Sequence, residues 1–189
     1  MAQFNWSPGI GDPTVGGWIT VVLYLSASIS CWITARKLST FYGQLMRERR
    51  AWLTIAVLFL LLGINKQLDL QSALTEIGRL LAYSEGWYHE RRFVQVIFIG
   101  FVALTCVSAI IILLIEARHT QGPTWLALLG TLIVFGFVLI RAASFHHMDR
   151  FIGTRVLGLR WNWVLEMGGI SLALIASVWR RNRETKFPA

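Results

Sequence analysis

Residues 93–115, FVQVIFIGFVALTCVSAIIILLI, run for 23 positions without one charged side chain. As an α-helix this stretch is roughly 35 Å long, enough to cross the ~30 Å hydrocarbon core of a bilayer. Lipid offers no partner to backbone N–H and C=O groups, so a lone segment of this kind must be helical. Four further runs read the same way. The first, 17–35, is uncharged and ends at Arg36 and Lys37. The second, 52–68, is purely apolar only to Ile64 and needs Asn65-Lys66-Gln67-Leu68 to reach spanning length. The fourth, 125–147, is uncharged to Ile140 and continues through Arg141. The fifth, 161–179, holds a single acid, Glu166. The expected fold is all-α: a polytopic integral membrane bundle of five transmembrane helices, forming one domain over residues 1–189.

Composition agrees. Of 189 residues, 55% are hydrophobic and 15% charged, against roughly 25% charged in ordinary soluble domains. Mean hydropathy is +0.56. A soluble globule could not cover itself with so few charges, and a disordered chain would not be this apolar. The net charge of +8 would suggest nucleic acid in a soluble protein. Here the excess sits beside the apolar runs, so membrane topology accounts for it. The expected medium is the lipid bilayer, with no nucleic-acid partner. Cys31 and Cys106 both lie inside apolar runs and read as small buried hydrophobes.

Trp18, Trp32, Trp52, Trp87, Trp125, Trp161, Trp163 and Trp179 fall at or near the ends of these runs, the headgroup level that suits a half-apolar ring with a wet N–H. With the N-terminus outside, the inner segments carry 10 Lys and Arg and the outer segments 7. That bias favours N-out, C-in. Residues 1–16 contain no Lys or Arg, so no leader peptide is expected. Together with short loops this fits a bacterial inner membrane. Residues 70–82, LQSALTEIGRLLA, place Leu70, Ala73, Leu74, Ile77, Leu80 and Leu81 on one helical face, which predicts a short helix in the outer interface.

The informative residues are the polar ones within these spans. An ionisable group there is unfavourable by ~2.5–3.5 kcal/mol on insertion scales and by default points inward. Asn65, Lys66 and Asp69 stand at the outer end of the second helix, with Asn65 and Asp69 on one face. Arg141, Ser144, His146, His147 and Asp149 stand at the outer end of the fourth, where Arg141, Ser144 and His147 share a face. Asn162 and Glu166 open the fifth on one stripe. All converge on one membrane face. Such a set can bind a divalent metal such as zinc, with His146, His147 and Asp149 as ligands. It can hold an anionic headgroup on Arg141 and Lys66. It can also be a buried ion-pair network, Glu166 with Arg141 being the obvious pair.

The stretch Ser144-Phe-His146-His147-Met-Asp149 followed by Leu165-Glu166-Met-Gly-Gly169-Ile170 resembles the helix-pair signature of the CREST superfamily of membrane hydrolases, the ceramidase and progestin/adiponectin-receptor type. The resemblance implies zinc-dependent hydrolysis of a lipid amide or related bond, with Ser144 and His147 or His146 in the first block and Glu166 as the acid. The family's late pair of histidines has no counterpart, since no His follows His147. A zinc triad here would draw on Asp69, His89 or Asp149 instead.

Two functions follow as expectations. In the first, an outward-facing polar pocket binds or acts on lipid. Asn65, Lys66, Arg141 and Asn162 contact the headgroup, and Ser144, His147, Glu166 and Asp69 supply acid, base or ligand chemistry. In the second, the chain is a non-catalytic subunit or assembly factor among other membrane subunits, and the polar cluster only fixes packing. A transporter fits poorly, because no inverted repeat is visible.

Overall fold

The computed structural model describes residues 14–38, 43–68, 91–143, 155–156 and 159–186. Five helices dominate them: α1 (Val15–Lys37), α2 (Gly43–Leu68), α3 (Arg91–Ala117), α4 (Gly122–Ala143) and α5 (Trp161–Lys186). Each is long and apolar enough to cross a membrane. Between α4 and α5, β1 (Arg155–Val156) pairs antiparallel with β2 (Leu159–Arg160). The expected interfacial helix at 70–82 lies outside the described residues.

The helix limits have local causes. Thr14 caps α1 by accepting a hydrogen bond from the Gly17 N–H at 3.1 Å, and Arg36 and Lys37 close its last turn, where cations meet the negative end of the helix dipole. Pro123 occupies the first turn of α4, where its missing N–H would have no intrahelical acceptor. Two helices are longer than the apolar pattern predicts. α2 begins nine residues before Trp52 and takes in Arg47-Glu48-Arg49-Arg50. α5 continues past Trp179 through the basic stretch to Lys186. In both cases the extension places a charged side chain on a buried face, where it finds its counterion.

α1 and α5 run in the same direction, since Tyr24 meets Glu166 and Ser30 meets Ser177. α2 runs against α1, with the Ser28 hydroxyl donating to the Ala56 carbonyl at 2.7 Å. α3 runs against α2, joined by Arg50 and Glu116 at 3.1 Å. The molecule therefore has a Glu166 end and a Glu48 end. The core is formed by Tyr24, Ala27 and Cys31 of α1, Trp52, Ile55 and Phe59 of α2, and Val134, Ile170 and Ala173 of α4 and α5. Its contact faces favour small residues, as expected where close backbone packing drives association in lipid.

The tightest approach is between α4 and α5. A Cβ at Gly130 would stand 2.5 Å from the Gly169 carbonyl oxygen, and one at Gly169 would stand 2.7 Å from that of Gly130. Backbone cannot move aside as a side-chain tip can. Gly130→Ala is therefore expected to lower stability by ~1–3 kcal/mol, the usual range for overpacking. Gly168→Ala, next door on α5 with nothing within 4 Å of its Cβ, is the control and should be neutral or slightly stabilising. Unfolding of the detergent-solubilised protein checks both, and equal effects would remove the crossing from the account.

Tryptophans mark both ends. Trp18 is exposed at the Glu166 end, and Trp32, Trp125 and Trp179 at the Glu48 end. Arg36 lies over Trp32 and Arg183 over Trp179, each guanidinium under 5 Å from the ring centre. Trp52 departs from the expectation. With α2 starting at Gly43 it falls in the third turn, wholly buried, and its indole N–H has no hydrogen-bond partner among the described residues.

Candidate functional site

At the Glu166 end, α5 turns its only intramembrane acid into the bundle. Glu166 is 2% exposed. Its Oε1 accepts from the Tyr24 hydroxyl of α1 at 3.2 Å, and its Oε2 accepts from Lys66 Nζ of α2 at 3.2 Å. Lys66 reaches inward with its side chain 11% exposed, rather than snorkelling to the surface as the last basic residue of a spanning helix often does. Tyr24 is fixed from the other side by an edge-on contact with Phe59. Both carboxylate oxygens are thus occupied by donors from different helices.

Arg141 belongs to the same neighbourhood. It follows the buried Val134 by seven residues and the buried Phe137 by four, so it sits on the inward face of α4, yet it is exposed. α4 runs against α5, with Thr124 at the Glu48–Arg180 pair and Gly130 against Gly169, so its last turn lies at the Glu166 end. The inward face of α4 therefore opens to the surroundings in its last turn. Four helices contribute to this end: α1 with Tyr24, α2 with Lys66, α4 with Arg141 and α5 with Glu166. Among the described residues it holds two cations and one carboxylate, one positive charge in excess.

The pairing differs from the obvious one. Glu166 takes Lys66, not Arg141, as its cation. Asn65 is partly buried one residue before Lys66, and Asn162 lies in the first turn of α5. Ser144, His146, His147, Asp149 and Asp69 lie outside the described residues. Among the described residues no three His, Cys, Asp or Glu side chains gather as a metal site would require. Glu166 is the one expected ligand or acid that is described, and its oxygens are already engaged. No step through a metal is therefore derived.

Sequence reading missed Tyr24, although Thr20, Tyr24 and Ser28 recur every fourth residue along α1, a polar stripe on its buried face. It also missed the second buried cluster, at the Glu48 end. There Arg180 Nε donates to Glu48 Oε1 at 2.8 Å and its terminal nitrogen to Oε2 at 3.1 Å, while the Thr124 hydroxyl donates to Oε1 at 2.7 Å. Glu48 and Arg180 are each 3% exposed. Beside it, Arg181 donates to the Ser30 carbonyl at 2.9 Å and the Ser30 hydroxyl at 3.0 Å. Since the Ser177 hydroxyl donates to Leu174 O at 2.7 Å, Ser30 donates to Ser177 across their 2.6 Å contact. Both oxygens of Glu48 are thus engaged by partners from α4 and α5, which locks α2, α4 and α5 together.

No protein-family model, no curated protein and no solved structure matches this chain. The likeness to the CREST hydrolases rests on the quoted residues alone.

Proposed function

We propose that the Glu166 end binds the anionic headgroup of a membrane lipid, with Arg141 as the principal contact and Lys66, held in place by Glu166, as the second cation. The supporting observation is the surplus cation among the described residues: Arg141 stands exposed on an otherwise buried helix face, at the end of the bundle where Glu166 is already satisfied by Lys66 and Tyr24. A guanidinium at this level presents paired donors suited to phosphate oxygens. In the N-out orientation the positive-inside bias favours, this end faces outward. Glu166 then acts as a positioning group, since an acid holding two donors is poorly placed to exchange protons with a substrate.

Arg141→Ala is expected to leave accumulation unchanged, because the side chain is exposed, and to reduce anionic phospholipid retained through purification. Loss of one charge-assisted contact corresponds to about tenfold in affinity. Lipid mass spectrometry of the purified protein measures this. Unchanged retention would favour the non-catalytic subunit reading, and co-purifying proteins would then be sought. The hydrolase form of the proposal adds a metal held by His147. Elemental analysis of the wild type beside His147→Ala tests it, a stoichiometric metal lost in the variant being the supporting result.

A further inference from the structure

We infer that the seam between α1 and α5 at the Glu48 end binds a phosphate group, carried by an anionic lipid or free in solution, with Arg181 as the principal contact and Lys37 as the second. This site is separate from the one proposed at the Glu166 end and does not rest on it.

Two successive arginines of α5 enter the bundle here, and only one meets an acid. Arg180 is 3% exposed, and both oxygens of Glu48 engage it. Arg181 is half-buried. One of its terminal nitrogens donates to the Ser30 carbonyl at 2.9 Å and to the Ser30 hydroxyl at 3.0 Å. Both acceptors are neutral, and both are shared. The Thr34 hydroxyl donates to the same carbonyl at 2.9 Å, and the Ser30 hydroxyl meets that of Ser177 at 2.6 Å. Among the described residues no carboxylate bonds Arg181, and its Nε and other terminal nitrogen have no partner. A cation drawn partly out of water is stabilised by an anion more than by neutral acceptors. Partial exposure lets a ligand reach this one without a cavity.

The surroundings select the ligand. Trp32 of α1 and Trp179 of α5 are exposed, each two residues beyond the contacting pair Ser30 and Ser177. Tryptophans at helix ends mark the headgroup level, so a guanidinium held at Ser30 lies close to the level of lipid phosphates. Arg181 curls inward to reach Ser30 instead of extending into water, which orders the side chain before any ligand arrives. Its remaining donors suit the paired oxygens of a phosphate. Lys37 extends the α1 stripe that faces α5, seven residues past Ser30 and three past Thr34. It is exposed at the helix end, and among the described residues it has no ion-pair partner. It therefore approaches the same seam from the aqueous side.

Binding of phosphatidylglycerol to the purified protein, followed by native mass spectrometry, tests the lipid source. Thermal unfolding in inorganic phosphate, against chloride at equal ionic strength, tests the soluble one. Both are run in the Arg141→Ala background, so that the Glu166 end does not contribute. Affinity is expected to fall about tenfold with Arg181→Gln, one charge-assisted contact, and about threefold with Lys37→Gln, an exposed charge. Arg118→Gln, an exposed base at the same end, should change nothing. A response of phosphatidylglycerol assigns the site to lipid, and a response of inorganic phosphate alone assigns it to a soluble ligand. If neither ligand responds to Arg181→Gln, the inference is overturned and Arg181 only clamps α1 to α5. Equal losses in Lys37→Gln and Arg118→Gln would also overturn it, since general surface charge would then be the cause. Lys37 is exposed, so that comparison decides the matter even where Arg181→Gln accumulates poorly.

Discussion

Arg180→Ala should destabilise the bundle by ~3–5 kcal/mol, the range seen when one partner of a buried ion pair is removed. Glu48 would be left at 3% exposure with only the Thr124 hydroxyl bonded to it among the described residues, and the desolvation of that carboxylate would go uncompensated. The two-point contact at 2.8 and 3.1 Å is of the charge-assisted, fork-to-carboxylate kind. The effect should be specific to burial. Arg50→Ala breaks the Arg50–Glu116 pair, whose arginine side chain is 55% exposed, and should change stability by ~0–1 kcal/mol. Replacing both buried partners, Glu48→Leu with Arg180→Met, should recover most of the loss, because no orphaned charge remains. Unfolding in mixed micelles would rank the variants. An Arg180→Ala loss no larger than that of Arg50→Ala would mean that the Glu48 cluster does not hold α2, α4 and α5 together.

That cluster also marks where the sequence stopped being readable. The five spans were legible because the bilayer imposes length and hydrophobicity on each segment separately. The same local rule assigns the charges near these helix ends to the inner surface. Glu48 lies among Arg47, Arg49 and Arg50, and its true partner is 132 positions away. No local pattern reveals such a pairing. Burying Arg180 takes one base from the inner count, leaving 9 against 7, so the Lys and Arg bias narrows but keeps its sign. The sequence puts Trp52 in a headgroup belt because the apolar run begins there. The helix begins earlier, as its charged first turns are satisfied inside the bundle, and this carries the indole into the core. At the other end, the convergence of Lys66, Arg141 and Glu166 on one face was legible from depth alone. Which cation Glu166 would take was not, because that depends on how α2, α4 and α5 are rotated against one another. The recurrence of Thr20, Tyr24 and Ser28 was a signal on the page, but a tyrosine in an uncharged span looks like any aromatic until its hydroxyl is seen to have a carboxylate to meet.

Glu166→Gln separates the fold from the function by moving them in opposite directions. The amide keeps a polar atom beside Tyr24 but removes the counterion of Lys66, whose side chain is 11% exposed. An unpaired ammonium at that depth lowers stability by ~3–5 kcal/mol. The same change leaves Lys66 and Arg141 with no carboxylate between them among the described residues, so the site carries two positive charges in place of one in excess. Anionic lipid should then be retained more tightly than by the wild type, although the protein itself is weaker. A catalytic acid or metal ligand at Glu166 predicts lost activity with stability preserved. A purely structural pair predicts lower stability with lipid retention unchanged. Lys66→Met combined with Glu166→Leu removes one charge of each sign, restores most of the stability, and should lower lipid retention to the share that Arg141 alone supports. Measured together, unfolding and retained lipid assign Glu166 to one of these roles, and retention that falls in Glu166→Gln would remove the surplus-cation argument on which the binding site rests.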